Sequence, residues 1–237
     1  MSTLTIRDNL ILKTLFDPEA TTPSEPQNAQ PTVALPGMTE DHFSSSRSTE
    51  LRIIASLQDG RPDRESIESA VQSLSMLIED SPRYASAYVN RAQARRMLIP
   101  VDGLFSTEHA EASGNLLSDL KRGIELAEPT TQESSISDHQ SKLLSAAYTH
   151  RGFLLLKIAD MLRAEKPVHG VSEKLQSATP ESVEEQASRD FALGGKWGNK
   201  EAQEMAVRTN PYAKMCGAIV KEALRKEHEE WKAGQLL

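Results

Sequence analysis

The chain has 237 residues, 38% apolar and only 5% aromatic, with 27 basic and 34 acidic side chains and a net charge of −7. That length holds one medium domain plus tails, and the acidic balance gives no bulk attraction for nucleic acid or an anionic membrane. The one cysteine, Cys216, rules out an internal disulfide, and no apolar run approaches the roughly 18 residues that span a bilayer.

Frequent Ala, Leu, Glu, Ser and Arg against sparse Val and Ile favour helix over strand. The expected setting is intracellular and cytoplasmic, with the nucleus left open. Residues 5–16 form a short amphipathic candidate, with Ile6, Leu10, Leu12, Leu15 and Phe16 on one face and Asp17-Pro18 as its stop. Lys13 interrupts its apolar run, so it is not read as a signal peptide. Segment 1–17 is therefore an N-terminal helical tail. Segment 18–44, rich in Pro and Ser, reads as a disordered linker.

The main domain is placed at 45–237. Residues 45–59 carry Leu51, Ile54, Ala55 and Leu57 at helical spacing, and residues 65–80 place Ile67, Ala70, Val71, Leu74, Leu77 and Ile78 on one face. Pro82 ends this hairpin of about 48–82. A second hairpin, 85–128, opens with the helix Ala85–Leu98, breaks at Ile99–Gly103, and resumes at 116–127, so an insertion is placed at 99–113. A third, 138–198, starts near Ser137 and carries an insertion at 165–182 before a helix through EEQASRDFALGGKWG. Tyr148, Arg151 and Gly152 echo Tyr88, Arg91 and Ala92, an internal repeat in which Ala92 and Gly152 allow close helix approach. In the partner helices, Ala187 and Phe191 match Leu116 and Leu120. After a helix from 200 to 207, a last helix at 211–233 is expected to turn Tyr212, Met215, Cys216, Ile219, Val220, Ala223 and Leu224 inward as a cap.

These features resemble a tetratricopeptide repeat. The fold expected is all-α, a solenoid of about three helix-turn-helix repeats with a C-terminal capping helix. Ala70, Pro82, Tyr88, Ala92, Tyr148, Gly152, Ala187 and Phe191 are the repeat-packing residues. The strings Asn90-Arg91-Ala92-Gln93-Ala94-Arg95-Arg96 and Asn210-Pro211-Tyr212-Ala213, with Asp119-Leu120, Arg189-Asp190-Phe191 and Leu15-Phe16-Asp17-Pro18, are similar to the tetratricopeptide repeat protein 36 family. That resemblance implies no catalysis and a groove that binds protein or peptide, with an Hsp70-class chaperone as a partner. It implies an adaptor, or else a regulatory scaffold for a metabolic enzyme, since the family is linked to tyrosine breakdown.

No catalytic or metal motif emerges from the six histidines, and Gly194-Gly195-Lys196 lacks a phosphate-loop frame, so a turn after a helix is expected there. Cys216 is expected to be a buried core thiol. No cofactor, nucleic acid or membrane is expected, and the chain reads as a monomer. Carboxylate-clamping grooves use Lys and Asn donors. Here Asn90 and Arg52 occupy matching positions, with Arg95 and His150 as further groove candidates, while Ser56 and Ala146 stand where donors would be wanted.

Overall fold

The computed structural model describes residues 34–58, 62–129 and 136–234. The expected tail, residues 1–17, lies outside them, as does most of the expected linker. Within the described residues every α-helix or 3-10 turn belongs to an all-helical arrangement, with no strand. The helices are α1 (Glu40–Gln58), α2 (Arg64–Asp80), α3 (Ala85–Leu98), α4 (Ala110–Ala127), α5 (Asp138–Arg163), the one-turn α6 (Glu173–Gln176), α7 (Pro180–Lys196), α8 (Lys200–Thr209) and α9 (Pro211–Gly234).

Each helix from α1 to α4 packs on the next in sequence, and α5 then pairs with α7 and α7 with α8. Their starts are set locally. Asp63, Ser137, Thr179 and Asn199 each accept a backbone N–H three residues on, from Ser66, Gln140, Ser182 and Ala202. Each such cap is worth about 1 kcal/mol. Pro180 follows its cap at the first helical position, where a missing N–H costs nothing. The core runs through all the hairpins, and Leu74, Leu116, Leu120, Leu144, Ile158, Val183 and Phe191 are fully buried in it.

Several expectations need correction. The domain begins before residue 45, because Leu35 and Phe43 are buried at 1% exposure and α1 starts at Glu40. The buried face of α1 is also not the apolar one read from sequence. Leu51 is 52% exposed, while Ser46 and Glu50 are buried with Phe43. The first insertion ends earlier than expected, since α4 already starts at Ala110. Gly194 and Gly195 lie inside the last turns of α7 rather than in a turn after it, because α8 crosses closely there: a Cβ on Gly194 would meet Ala202 at 3.2 Å, and one on Gly195 would meet Gln203 at 2.6 Å.

The last helix does not cap. Met215, Ile219, Val220 and Leu224 are all more than half exposed, and Cys216 is exposed. The main contacts of α9 are with α8 and α7. These contacts leave the four apolar side chains uncovered.

The two insertions meet each other. The His169 N–H donates to the Phe105 carbonyl at 2.9 Å, and Phe105 is itself buried with φ +61°. Its own N–H donates to Ser113 Oγ at 3.0 Å. Gly170 takes φ +75°, and a Cβ there would fall 1.9 Å from the Ala110 carbonyl oxygen. A left-handed backbone angle and a backbone-to-backbone approach therefore both require glycine.

Candidate functional site

The internal repeat resolves into a repeated ion pair. On α3, Arg91 donates through Nε and Nη2 to both carboxylate oxygens of Asp119 on α4, at 3.0 and 2.6 Å. On α5, Arg151 donates in the same fork to Asp190 on α7, at 2.6 and 2.7 Å. Each guanidinium also lies over the tyrosine three residues earlier, with 5.7 Å from Arg91 to the Tyr88 ring and 5.3 Å from Arg151 to the Tyr148 ring. Beneath each acid the next residue, Leu120 or Phe191, is fully buried. Phe191 fills the space that Gly152 leaves, since a Cβ on that glycine would come within 2.9 Å of the ring. Four residues after each acid stands a glycine, Gly123 or Gly194, at a close helix contact: a Cβ would meet Val89 at 2.6 Å and Thr149 Oγ1 at 2.6 Å respectively. The paired Asp-[Leu/Phe]-x-x-Gly strings could have been found by aligning the two partner helices.

Such contacts absorb two of the four residues expected to face a ligand, Asn90 and Arg95. Arg95 also donates to Asp119, at 2.5 Å, which makes Asp119 the shared acceptor of two arginines. Arg96 donates to the Ile99 carbonyl at the end of its own helix. Asn90 donates to Glu50 Oε1 at 2.8 Å, and Tyr84 and Ser86 donate to Glu50 Oε2 at 2.6 and 3.0 Å. Asn90 therefore braces α3 against α1 instead of offering a free donor. Burial pushes the Glu50 carboxyl above its ordinary range despite these three donors. His150 is largely buried, and that desolvation, with the nearby Arg96 charge, pushes it down to about 4. It is a neutral imidazole at pH 7.

Arg52 also stands outside both networks. It donates to Thr49 and lines a groove of about 560 Å³ between α1 and α2, whose walls include Ser56, Ser69, Ser73, Met76 and the carboxylate Asp80. The structure thus brings Asn90 and Arg95 into separate internal networks and leaves Arg52 and His150 apart from both.

A second cavity, of about 570 Å³, was not foreseen. It is lined by Leu117 and Lys121 of α4, Arg151 and Leu155 of α5, Lys174 and Leu175 of α6, and Arg189, Asp190 and Leu193 of α7. Its lining is mainly apolar, with Ser172, Ser182 and Gln186 among the leucines, and carries four cations against one carboxylate, in a chain whose net charge is negative. The second insertion supplies one wall. Among the described residues, no three of His, Cys, Asp and Glu gather to hold a metal ion, and no helix is long and apolar enough to cross a membrane.

Comparison with known proteins gives an alignment over nearly the whole chain. The L-tyrosine degradation gene cluster protein hmgX of Aspergillus fumigatus is 43% identical over 242 aligned residues, covering 95% of this chain and 94% of its own length. The chain belongs to the hmgX family. Tetratricopeptide repeat protein 36 homologues are more distant: the one from Drosophila pseudoobscura is 25% identical over 93% of this chain and 94% of its own. That from Danio rerio is 25% identical over 76% of this chain. The family expected from the Asn90–Arg96 and Asn210–Ala213 strings is corrected accordingly, because identity to the hmgX protein is far higher along nearly the same length. The chaperone-adaptor reading falls with it, and its groove donors Asn90 and Arg95 are in any case consumed inside the fold. No family model matches the chain, and no solved structure matches it.

Proposed function

We propose that the chain is a non-enzymatic scaffold that supports an enzyme of L-tyrosine degradation, built as three stacked hairpins of tetratricopeptide type. The observation that carries this reading is the near-full-length identity to a protein of an L-tyrosine degradation gene cluster. The hairpin reading rests on the two Tyr-x-x-Arg to Asp braces, which set α3 on α4 and α5 on α7 by the same contacts. The titratable clusters inside the fold are occupied in holding helices together, which favours a binding role over chemistry. Recognition then falls to surfaces that a plain repeat lacks, namely the two joined insertions and the cavity walled by α6.

The test is association of the purified full-length chain with each enzyme of L-tyrosine degradation, followed by light scattering after gel filtration. Retention of one enzyme, lost when 165–179 is replaced by a Gly-Ser linker and kept in Asn90→Ala, is the expected result. No retained enzyme, together with turnover of a tyrosine-derived substrate by the chain alone, would overturn it.

A further inference from the structure

The cavity between α4, α5, α6 and α7 has a chemistry of its own. Leu117, Leu155 and Leu175 form an apolar surface contributed by three helices. Around it stand Lys121, Lys174 and Arg189. The fourth cation, Arg151, is already bound in a fork to Asp190, which neutralises the one acid in the lining.

The other three are available. Lys174 makes no ion pair among the described residues. Lys121 stands 3.9 Å from Glu125 on its own helix, with its side chain 72% exposed. Arg189 pairs at 2.6 Å with Glu185, one turn away and 41% exposed. Exposed pairs of this kind contribute a few tenths of a kcal/mol, so a ligand anion displaces them at little cost. The volume of about 570 Å³ falls in the range of small-molecule sites.

We propose that this cavity binds a small aromatic acid that lacks an amino group, its ring on Leu117, Leu155 and Leu175 and its carboxylate among Lys121, Lys174 and Arg189. An apolar floor selects a hydrocarbon body, and three cations select an anionic head. The same cations repel an ammonium group, so the parent amino acid is disfavoured against its deaminated products. A scaffold for tyrosine degradation with this site would respond to an aromatic metabolite produced after amino-group removal. This regulatory role rests on the proposed function above, while the site itself rests only on the cavity.

The experiment titrates the ¹⁵N-labelled full-length chain with phenylacetate, phenylacetamide, L-phenylalanine and inorganic phosphate, following backbone amide shifts. Phenylacetate should saturate amides of Leu117, Leu155 and Leu175 with a Kd below about 1 mM. The amide and the amino acid should each bind about tenfold more weakly or worse. The double variant Lys121→Glu/Lys174→Glu, at two exposed positions, should weaken phenylacetate by about tenfold or more. Leu175→Asp should do the same through the apolar wall. The proposal is overturned if no saturable shift occurs up to about 10 mM, if the charge-reversed variant binds as the parent does, or if phosphate binds these amides as tightly as phenylacetate. Aromatic-acid binding without enzyme association would sink the scaffold reading alone; enzyme association without aromatic-acid binding would sink this proposal alone.

Discussion

Glu50 shows how far one side chain can depart from its ordinary rule. Carboxylates are rarely fully buried, yet this one is 3% exposed and receives Tyr84, Ser86 and Asn90. Nothing in the spacing of α1 marks it, because a Glu among Ser and Arg reads as a solvated face. Its raised folded pKa means that the folded chain binds more protons than the unfolded chain between 4.5 and that raised value. Its contribution to stability therefore falls as pH rises through that window. Glu50→Gln removes the buried charge but sets an NH2 donor where one carboxylate oxygen accepted, so its stability relative to the parent should rise as pH goes from 4.5 towards 7 and be least favourable near 4.5, read from urea midpoints. His150 acts in the opposite sense. Its folded pKa of about 4 lies below its ordinary 6.5, so the unfolded state takes up the proton first and stability is lost as pH falls from about 6.5 to about 4. His139, also pushed down by burial, adds to that loss. Replacing His150 by Asn should flatten this limb of the profile in the same urea series.

At the scale of helices, the Arg–Asp braces decide the pairing. The Tyr-x-x-Arg-[Ala/Gly] echo is legible from Tyr88 and Tyr148 alone. The acid that answers each arginine is not, because it lies 28 residues away for Arg91 and 39 for Arg151, across turns of different length. Both Asp119 and Asp190 are nearly buried, at 6% and 7% side-chain exposure. Asp119→Ala strands two arginines and should cost about 3–5 kcal/mol. Asp190→Ala strands one and should cost about 3 kcal/mol, and chemical denaturation would rank the two. The joined insertions give a second test. Gly170→Ala forces a Cβ into the Ala110 carbonyl at a left-handed angle, so it should destabilise by more than about 1 kcal/mol and expose the His169 amide to faster hydrogen exchange.

For the described body as a whole, α9 is the element that pattern misjudged. Its apolar residues recur at helical spacing as those of α2 do, yet those of α2 are buried while Met215, Ile219, Val220 and Leu224 are more than half exposed. Because the main contacts of α9 are with α8 and α7, removing residues 211–237 should shift the melting temperature by no more than about 3 °C, checked by circular dichroism. A larger loss would mean that α9 does serve the core. The sequence by itself determined the all-helical class, the bounds of α2 and α3 and the start of α5 nearly to the residue, and the echo between α3 and α5, while α4 begins six residues before its expected start; caps, prolines and a 3.6-residue period act within a few residues of one another. Only the tertiary structure decided that Glu50 would be an inner residue, that Asn90 and Arg95 would be spent on internal acids, that the two insertions would close on each other, and that a cation-rimmed cavity would open between four helices. Each of those depends on which distant side chains arrive together, and arrival is governed by turn length and close backbone approach, which no local period records.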